Sequence, residues 1–328
     1  MGLKLGFYGF GSIGRLIAKQ ALQRGHEVSA VVDIDPSILG RDVGEILGLK
    51  ERLGVSASKD PDVLRGVDVV IHATGSFLDR VYKQILAAVD VGADVVSTCE
   101  TLAYPYYRYP RIARLIDSHA RSRGVSVIGT GINPGFLLDT LAIAVSASIG
   151  VVERVRAVRS LDASKRRLPF QRKIGVGEDP SVVRERLKRG EMTGHVGYAE
   201  SVLLIADAAG LALSEVRESQ DVVVASRDIE AHGVHVPQGM CAGVRGYGAG
   251  YVEGREVIRV ELHAYVGAED FEEIEVEGPE AHVKWRSTGT HGDWGTASIV
   301  LSIAEDIGGR PPGLLLMTDL IPFHPRFA

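Results

Sequence analysis

Apolar and polar positions follow two different rhythms along this chain, and the change of rhythm falls near Gly135. In the first part, short apolar runs alternate with segments of helical spacing. Residues 3–8, 27–32, 67–73, 93–98 and 125–129 read as buried strands, and 12–24, 77–91 and 106–123 as helices. In the first helix Ile13, Leu16, Ile17 and Leu22 fall on one side. This alternation predicts a parallel sheet with crossover helices, an α/β fold.

After Gly135 the strands follow one another with fewer helices between them. Helical spacing marks 137–148, 182–189 and 199–209, while 151–161, 216–229, 239–251, 256–266 and 271–277 read as strands. A last helix is predicted over 293–307 with Asp293 as its N-cap, followed by a Pro-rich tail. Successive strands predict an antiparallel or mixed sheet, hence a second domain of the α+β type. The expected domains are 1–135 and 136–328, with the C-terminal helix and tail packing back on the first.

Composition narrows the function classes. The 328 residues carry a net charge of −5 with no long run of like charge, so nucleic acid is not an expected partner. The two cysteines, Cys99 and Cys241, form no CxxC pair, and the histidines lack ligand spacing. Neither a disulfide framework nor a metal site is therefore expected. The first apolar run is already a strand, and no apolar run is long enough for a membrane span, so the expectation is a cytoplasmic protein.

The first strand leads into Gly9-Phe10-Gly11-Ser12-Ile13-Gly14 and then into a helix. In that context GxGxxG is a dinucleotide-binding turn. Gly9 permits the tight turn, Gly11 clears space for a pyrophosphate, and Gly14 lets helix and strand pack closely. The helix N-terminus, beginning at Ser12 and Ile13, presents N–H groups and a positive dipole end to phosphate. Asp33 ends the next strand, where it would accept hydrogen bonds from ribose hydroxyls and favour NAD. Arg41 follows in the adjoining loop, where it either pairs a 2′-phosphate or is a solvated charge, so NADP stays open. His72-Ala73-Thr74 ends the strand over 67–73. The small Ala73 and Thr74 leave room for the nicotinamide half against the backbone, and His72 reads as a hydrogen-bonded strand-end residue.

Ser97-Thr98-Cys99-Glu100 closes the following strand, with Thr98 and Glu100 near the expected nicotinamide position. A carbonyl reductase needs a proton donor at a developing alkoxide. A carboxylate repels that charge but stabilises a cationic iminium or ammonium centre. Glu100 therefore points to hydride transfer at a carbon bearing nitrogen, or else it caps the helix that Pro105 starts. Cys99 offers a different chemistry, that of an acylating aldehyde dehydrogenase using a thiol nucleophile. A non-catalytic NAD(P)-binding sensor is a third reading.

These residues resemble a known family. The turn from Gly9 to Gly14, Val31-Val32-Asp33-Ile34-Asp35-Pro36, Ser97-Thr98-Cys99-Glu100 and Gly129-Thr130-Gly131-Ile132-Asn133-Pro134-Gly135-Phe136 look like segments of the 2,4-diaminopentanoate dehydrogenases and related native amine dehydrogenases. So do His195-Val196-Gly197-Tyr198-Ala199-Glu200-Ser201 and Ala264-Tyr265-Val266-Gly267-Ala268. The resemblance implies a Rossmann domain and a second α+β domain of dihydrodipicolinate-reductase-like type whose sheet supports a homodimer. It implies NAD(P)-dependent deamination of an amine, or the reverse amination of a ketone or aldehyde with ammonia, and it places Glu100 at the catalytic glutamate. The paired-histidine and lysine motif of dihydrodipicolinate reductases themselves is missing. Asn133 is a candidate for the nicotinamide amide or the substrate amine, unless it simply shapes the turn before Pro134. Phe136 walls a substrate pocket or belongs to the core. Arg159 and the neighbouring Lys165, Arg166 and Arg167 are candidates for a substrate carboxylate. His195 and His263 complete the candidate pocket residues.

Overall fold

The computed structural model describes residues 2–328. It divides into two compact units, Met1–Phe136 with His291–Leu320, and Leu137–Thr290 with Ile321–Ala328. The first unit holds the strands β1 (Lys4–Tyr8), β2 (Glu27–Val32), β3 (Ala57–Ser58), β4 (Val69–His72), β5 (Asp94–Ser97) and β6 (Ser126–Gly129). The second holds β7 (Arg154–Asp162), β8 (Glu215–Val224), β9 (Ile229–Ala231), β10 (Val234–Val236), β11 (Cys241–Val252), β12 (Arg255–Tyr265), β13 (Phe271–Glu277) and β14 (His282–Arg286). The last strand, β15 (Gly313–Leu315), lies in the first unit.

The first sheet is parallel throughout, in the order β15-β6-β5-β4-β1-β2-β3. Winding changes direction between β1 and β4. Loops leaving the carboxyl ends of these two strands go opposite ways and leave a crevice between them. Both faces are covered, so the central strands are apolar along their length, as the sequence rhythm predicts. The helix Ser12–Gln23 buries Gly14, Ile17, Ala18 and Ala21, with the larger Ile13, Leu16 and Leu22 only half-buried. Its buried side mixes the small Gly14, Ala18 and Ala21 with Ile17 and Gln20, and the helix packs against the helix Gly292–Ile307. The two are tied by Ser298 Oγ donating to Gln20 Oε1 at 3.2 Å.

The second unit is built on a mixed sheet in the order β14-β13-β7-β12-β11-β8. There β7 and β12 run parallel and the other neighbours antiparallel. Its inner face, with Val155 and Ala157 of β7 and Ile258, Val260, Leu262 and Ala264 of β12, packs in one core with Val202 and Ile205 of the helix Tyr198–Ala208. Glycines at 246, 248 and 250 of β11 make room for that helix: a Cβ at Gly248 would lie 2.7 Å from the Tyr198 carbonyl oxygen.

Several local expectations change. The single helix predicted over 106–123 is two, Pro105–Arg108 and Pro110–Arg123, because Pro110 has no N–H to continue the first ladder. The strand predicted over 216–229 ends at Val224, and the chain then forms the β9–β10 hairpin. The final helix is capped by His291, whose ring accepts from the Trp294 N–H at 3.4 Å, while Asp293 sits in the first turn. The basic segment after β7 runs into a short helix, Leu168–Lys173, opened by Pro169 near its start.

Candidate active site

In the first unit the candidate groups other than Arg41 stand at or just beyond the carboxyl ends of parallel strands. Gly9 has φ +93°, a conformation strained for a residue with a side chain. A Cβ there would meet the Ala73 carbonyl oxygen at 2.6 Å and Thr74 Cγ2 at 2.7 Å, so the turn and the end of β4 are in contact. A Cβ on Gly14 would come within 2.3 Å of the Gly9 carbonyl oxygen. At Gly11 the situation reverses, because a Cβ would meet nothing within 4 Å. Space above Gly11 is therefore open. The helix that starts at Ser12 has no side-chain cap. An open, uncapped helix N-terminus over a glycine turn fits a pyrophosphate.

Asp33 leaves the end of β2 towards this turn. Its carboxylate accepts from the Phe10 N–H at 2.5 Å, the Ile34 N–H at 2.7 Å and the Asp35 N–H at 2.9 Å. The acid is thus held beside the glycine turn. Arg41 is exposed and donates to the Ser37 carbonyl oxygen at 3.2 Å.

At the ends of β4 and β5 a polar chain crosses the sheet. His72 and Ser97 are register partners, and His72 Nδ1 lies 2.8 Å from Ser97 Oγ. His72 Nε2 lies 3.0 Å from Gln84 Oε1 and 2.9 Å from Thr74 Oγ1. Ser97 Oγ in turn accepts from the Cys99 N–H at 3.1 Å. Burial pushes the His72 imidazole down to about 4, against the opposing effect of the Gln84 hydrogen bond, so the ring is neutral near pH 7. Sequence reading treats His72 as a satisfied histidine but misses its partners. A glutamine on the sheet-facing side of the helix Leu78–Asp90 was the available signal.

Glu100 follows as the first residue of the short 3₁₀ turn Glu100–Leu102, half-buried like Thr98. Its neighbour Cys99 is buried, with the thiol pushed up to about 12 by burial and then by the Glu100 carboxylate. Such a thiol is not a nucleophile at neutral pH, which removes the physical basis for the acylating aldehyde dehydrogenase reading. Asn133 and Phe136 lie half-buried after β6, with a cis peptide between Asn133 and Pro134.

The second unit brings together Arg159 and His195. Arg159 is buried, pairs with Glu272 at 3.3 Å and donates to the Thr290 carbonyl oxygen at 2.9 Å. The His195 ring packs edge-on against Tyr198 with centroids 4.6 Å apart. Burial, with the charges of Lys173 and Arg159, pushes His195 down to about 3. Lys173 is a group that sequence reading overlooks. His263 is elsewhere. It projects from the outer face of the sheet, 3.2 Å from Glu261, beside Arg245 and Arg259. Lys165 is engaged with Asp270 at 2.6 Å, and Arg166 stacks over Phe170 at 4.5 Å. Among the described residues no group of three or more His, Cys, Asp or Glu side chains is placed to hold a metal ion, and no helix is long and apolar enough to cross a membrane.

Comparison with known proteins adds to this geometry. Residues 136–325 match the family model of the 2,4-diaminopentanoate dehydrogenase C-terminal domain. The chain is 29% identical over 331 residues to the 2,4-diaminopentanoate dehydrogenase of Acetoanaerobium sticklandii, covering 97% of this chain and 93% of that protein. Among solved structures, an amine dehydrogenase from Mycobacterium smegmatis superposes with a TM-score of 0.86 at 21% identity, covering 100% of this chain and 99% of that one. A dihydrodipicolinate reductase from Paenisporosarcina sp. TG-14 superposes with a TM-score of 0.52 at 12% identity, covering 98% and 100% of the two chains.

Proposed function

Since the chain belongs to the 2,4-diaminopentanoate dehydrogenase family, we propose that it is an NAD(P)-dependent oxidoreductase acting on CH–NH2 groups. The observation that carries this reading is Glu100, a carboxylate at the strand end where a carbonyl reductase would place a proton donor. The glycine turn, the open space at Gly11 and the fixed Asp33 fit the dinucleotide, and Ala73, Thr74, Thr98 and Asn133 are proposed to line its nicotinamide half. When bound, the nicotinamide supplies or accepts the hydride.

In the amination direction, ammonia adds to a ketone or aldehyde and water leaves. Glu100 takes a proton from ammonium to free the ammonia that adds, a proton of the adduct's nitrogen passes to its oxygen, and Glu100 returns the proton it holds to the departing hydroxyl, leaving an iminium carbon to receive the hydride. The negative carboxylate stabilises that cation, and deamination runs the same steps in reverse. In the second unit the candidate substrate-binding groups are His195 and Arg159. His195, neutral, adds no charge of its own, whereas Arg159 already has a carboxylate partner in Glu272. The protein is proposed to work in the cytoplasm as a homodimer, with the outer face of the mixed sheet as the proposed contact.

The test is NADH and NADPH consumption over a panel of ketones, aldehydes and keto acids, each with and without ammonium. Turnover should require ammonium. Reduction at the same rate without it would refute amine chemistry, and tight cofactor binding with no turnover anywhere would favour the sensor.

A further inference from the structure

We propose that His72 is a positioning residue for Glu100, acting through Ser97 to fix the loop that carries the carboxylate relative to the loop that faces the cofactor. The proposal rests on the assignment of Glu100 above.

Hydrogen-bond accounting gives the chain a direction. Ser97 Oγ accepts the Cys99 N–H, so its own hydrogen is available for His72 Nδ1. Nδ1 is then the acceptor and Nε2 carries the proton, which is donated towards Gln84 Oε1 and Thr74 Oγ1. Thr74 Oγ1 also lies 2.5 Å from Gln84 Oε1, where it donates. One neutral tautomer satisfies the whole series. It runs from the helix Leu78–Asp90, through two strand ends, to the backbone N–H of the residue before Glu100.

Two further links stitch the same loops. The Thr98 N–H donates to the His72 carbonyl oxygen at 2.9 Å. Thr101 Oγ1 donates to the Ser76 carbonyl oxygen at 3.2 Å and accepts the Leu78 N–H at 2.9 Å. Residues 72–78 touch the glycine turn through Ala73 and Thr74, and residues 97–101 hold the carboxylate. The polar chain therefore ties the cofactor side of the crevice to the acid.

His72 occupies a place on the strand that packing alone would give to an aliphatic residue. It has the same facing as Val70 and is fully buried beside an apolar cluster containing Val81, Ile85, Val95 and Cys99. Buried polar groups weaken a core unless every member is satisfied. This network is satisfied, and an imidazole provides two nitrogens at a fixed separation to reach Ser97 on one side and Gln84 and Thr74 on the other.

The experiment compares His72→Asn, Ser97→Ala and the double variant with the wild type and with Glu100→Gln. Rates are normalised to sites that bind NADH. Each single variant should lose about tenfold in kcat with KM for NADH within about twofold, since small misplacement of a reacting group is costly. The double variant should lose no more than the worse single one, because both cut the same path. Unchanged kcat per site, losses that multiply in the double variant, or losses confined to KM and melting temperature would each overturn the proposal. Nitrogen NMR of the wild-type ring is an independent check that needs no variant: Nε2–H is expected, and Nδ1–H would overturn the proposal. If Glu100→Gln keeps the wild-type rate, the carboxylate assignment fails and this proposal with it. If Glu100→Gln is inactive while the His72 and Ser97 variants are unimpaired, this proposal fails alone.

Discussion

The parallel sheet is apolar on both faces and gathers its polar side chains at the strand ends, whereas the mixed sheet is apolar on one face and spreads charge over the other. In the first, Val69–His72 and Ser126–Gly129 are buried along their whole length, and hydrogen-bonding side chains gather where the strands stop. In the second, Arg156 and Arg259 flank Glu261, and Lys284 bridges Glu273 and Glu275. The difference separates two uses of polarity. At the carboxyl ends of β4 and β5 few polar atoms are present, and His72, Thr74 and Ser97 are each fixed by a named partner. On the outer face many charges neutralise one another within the chain.

The largest effect expected to test this division is at Glu100. Glu100→Gln should lower kcat for reductive amination by about a thousandfold, roughly 4 kcal/mol of transition-state stabilisation, with NADH binding intact in a fluorescence titration. Near wild-type turnover would break the comparison, since the strand end would then hold no essential acid.

Next in size is the acid response of His72. Unfolded histidine binds a proton below about pH 6.5, but the folded ring resists until about 4. Between those values the unfolded state holds more protons, so stability falls as pH falls. The loss attributable to His72 is roughly 3 kcal/mol by pH 4, measurable as a smaller drop in urea midpoint between pH 7 and 4.5 for His72→Asn than for the wild type. An equal drop in both proteins would show that burial does not hold the ring neutral.

Smallest is the outer face. Burial pushes the Glu261 carboxyl up, but hydrogen bonds from His263, Arg156 and Arg259 outweigh it and hold the group at about 2. A depressed carboxyl contributes stability above its unfolded value near 4.5, lost as pH falls towards 2. Glu261→Gln should cost about 1 kcal/mol at pH 7, discounted for its partly solvated partners, and leave kcat unchanged. A large fall in kcat would sharpen the picture differently, by drawing His263 and the outer face into substrate binding.

Much of this was legible in the sequence because long elements with one buried side impose a rhythm. The strand at 27–32 and that at 271–277 were read to the residue. Glycine spacing and Asp33 were readable because a tight turn tolerates few alternatives. Short elements carried no such signal. The three residues of β15 sit in a Pro- and Gly-rich stretch, and the helix Leu168–Lys173 buries nothing completely. Partnerships across the sheet were also hidden. That His72 meets Ser97 depends on register, and that His263 faces away from His195 depends on strand parity. A chain read one residue at a time does not supply either.

The placement of β15 has a consequence for the order in which the protein can be made. It pairs with Ser126–Gly129 at the end of the parallel sheet, yet it is synthesised some 180 residues later. While the second unit emerges from the ribosome, β6 is an open edge, the kind of surface on which unwanted strand pairing begins. A fragment cut after Phe136 would keep that edge permanently. An isolated cofactor-binding unit should therefore be made by joining Met1–Phe136 to His291–Leu320 rather than by simple truncation.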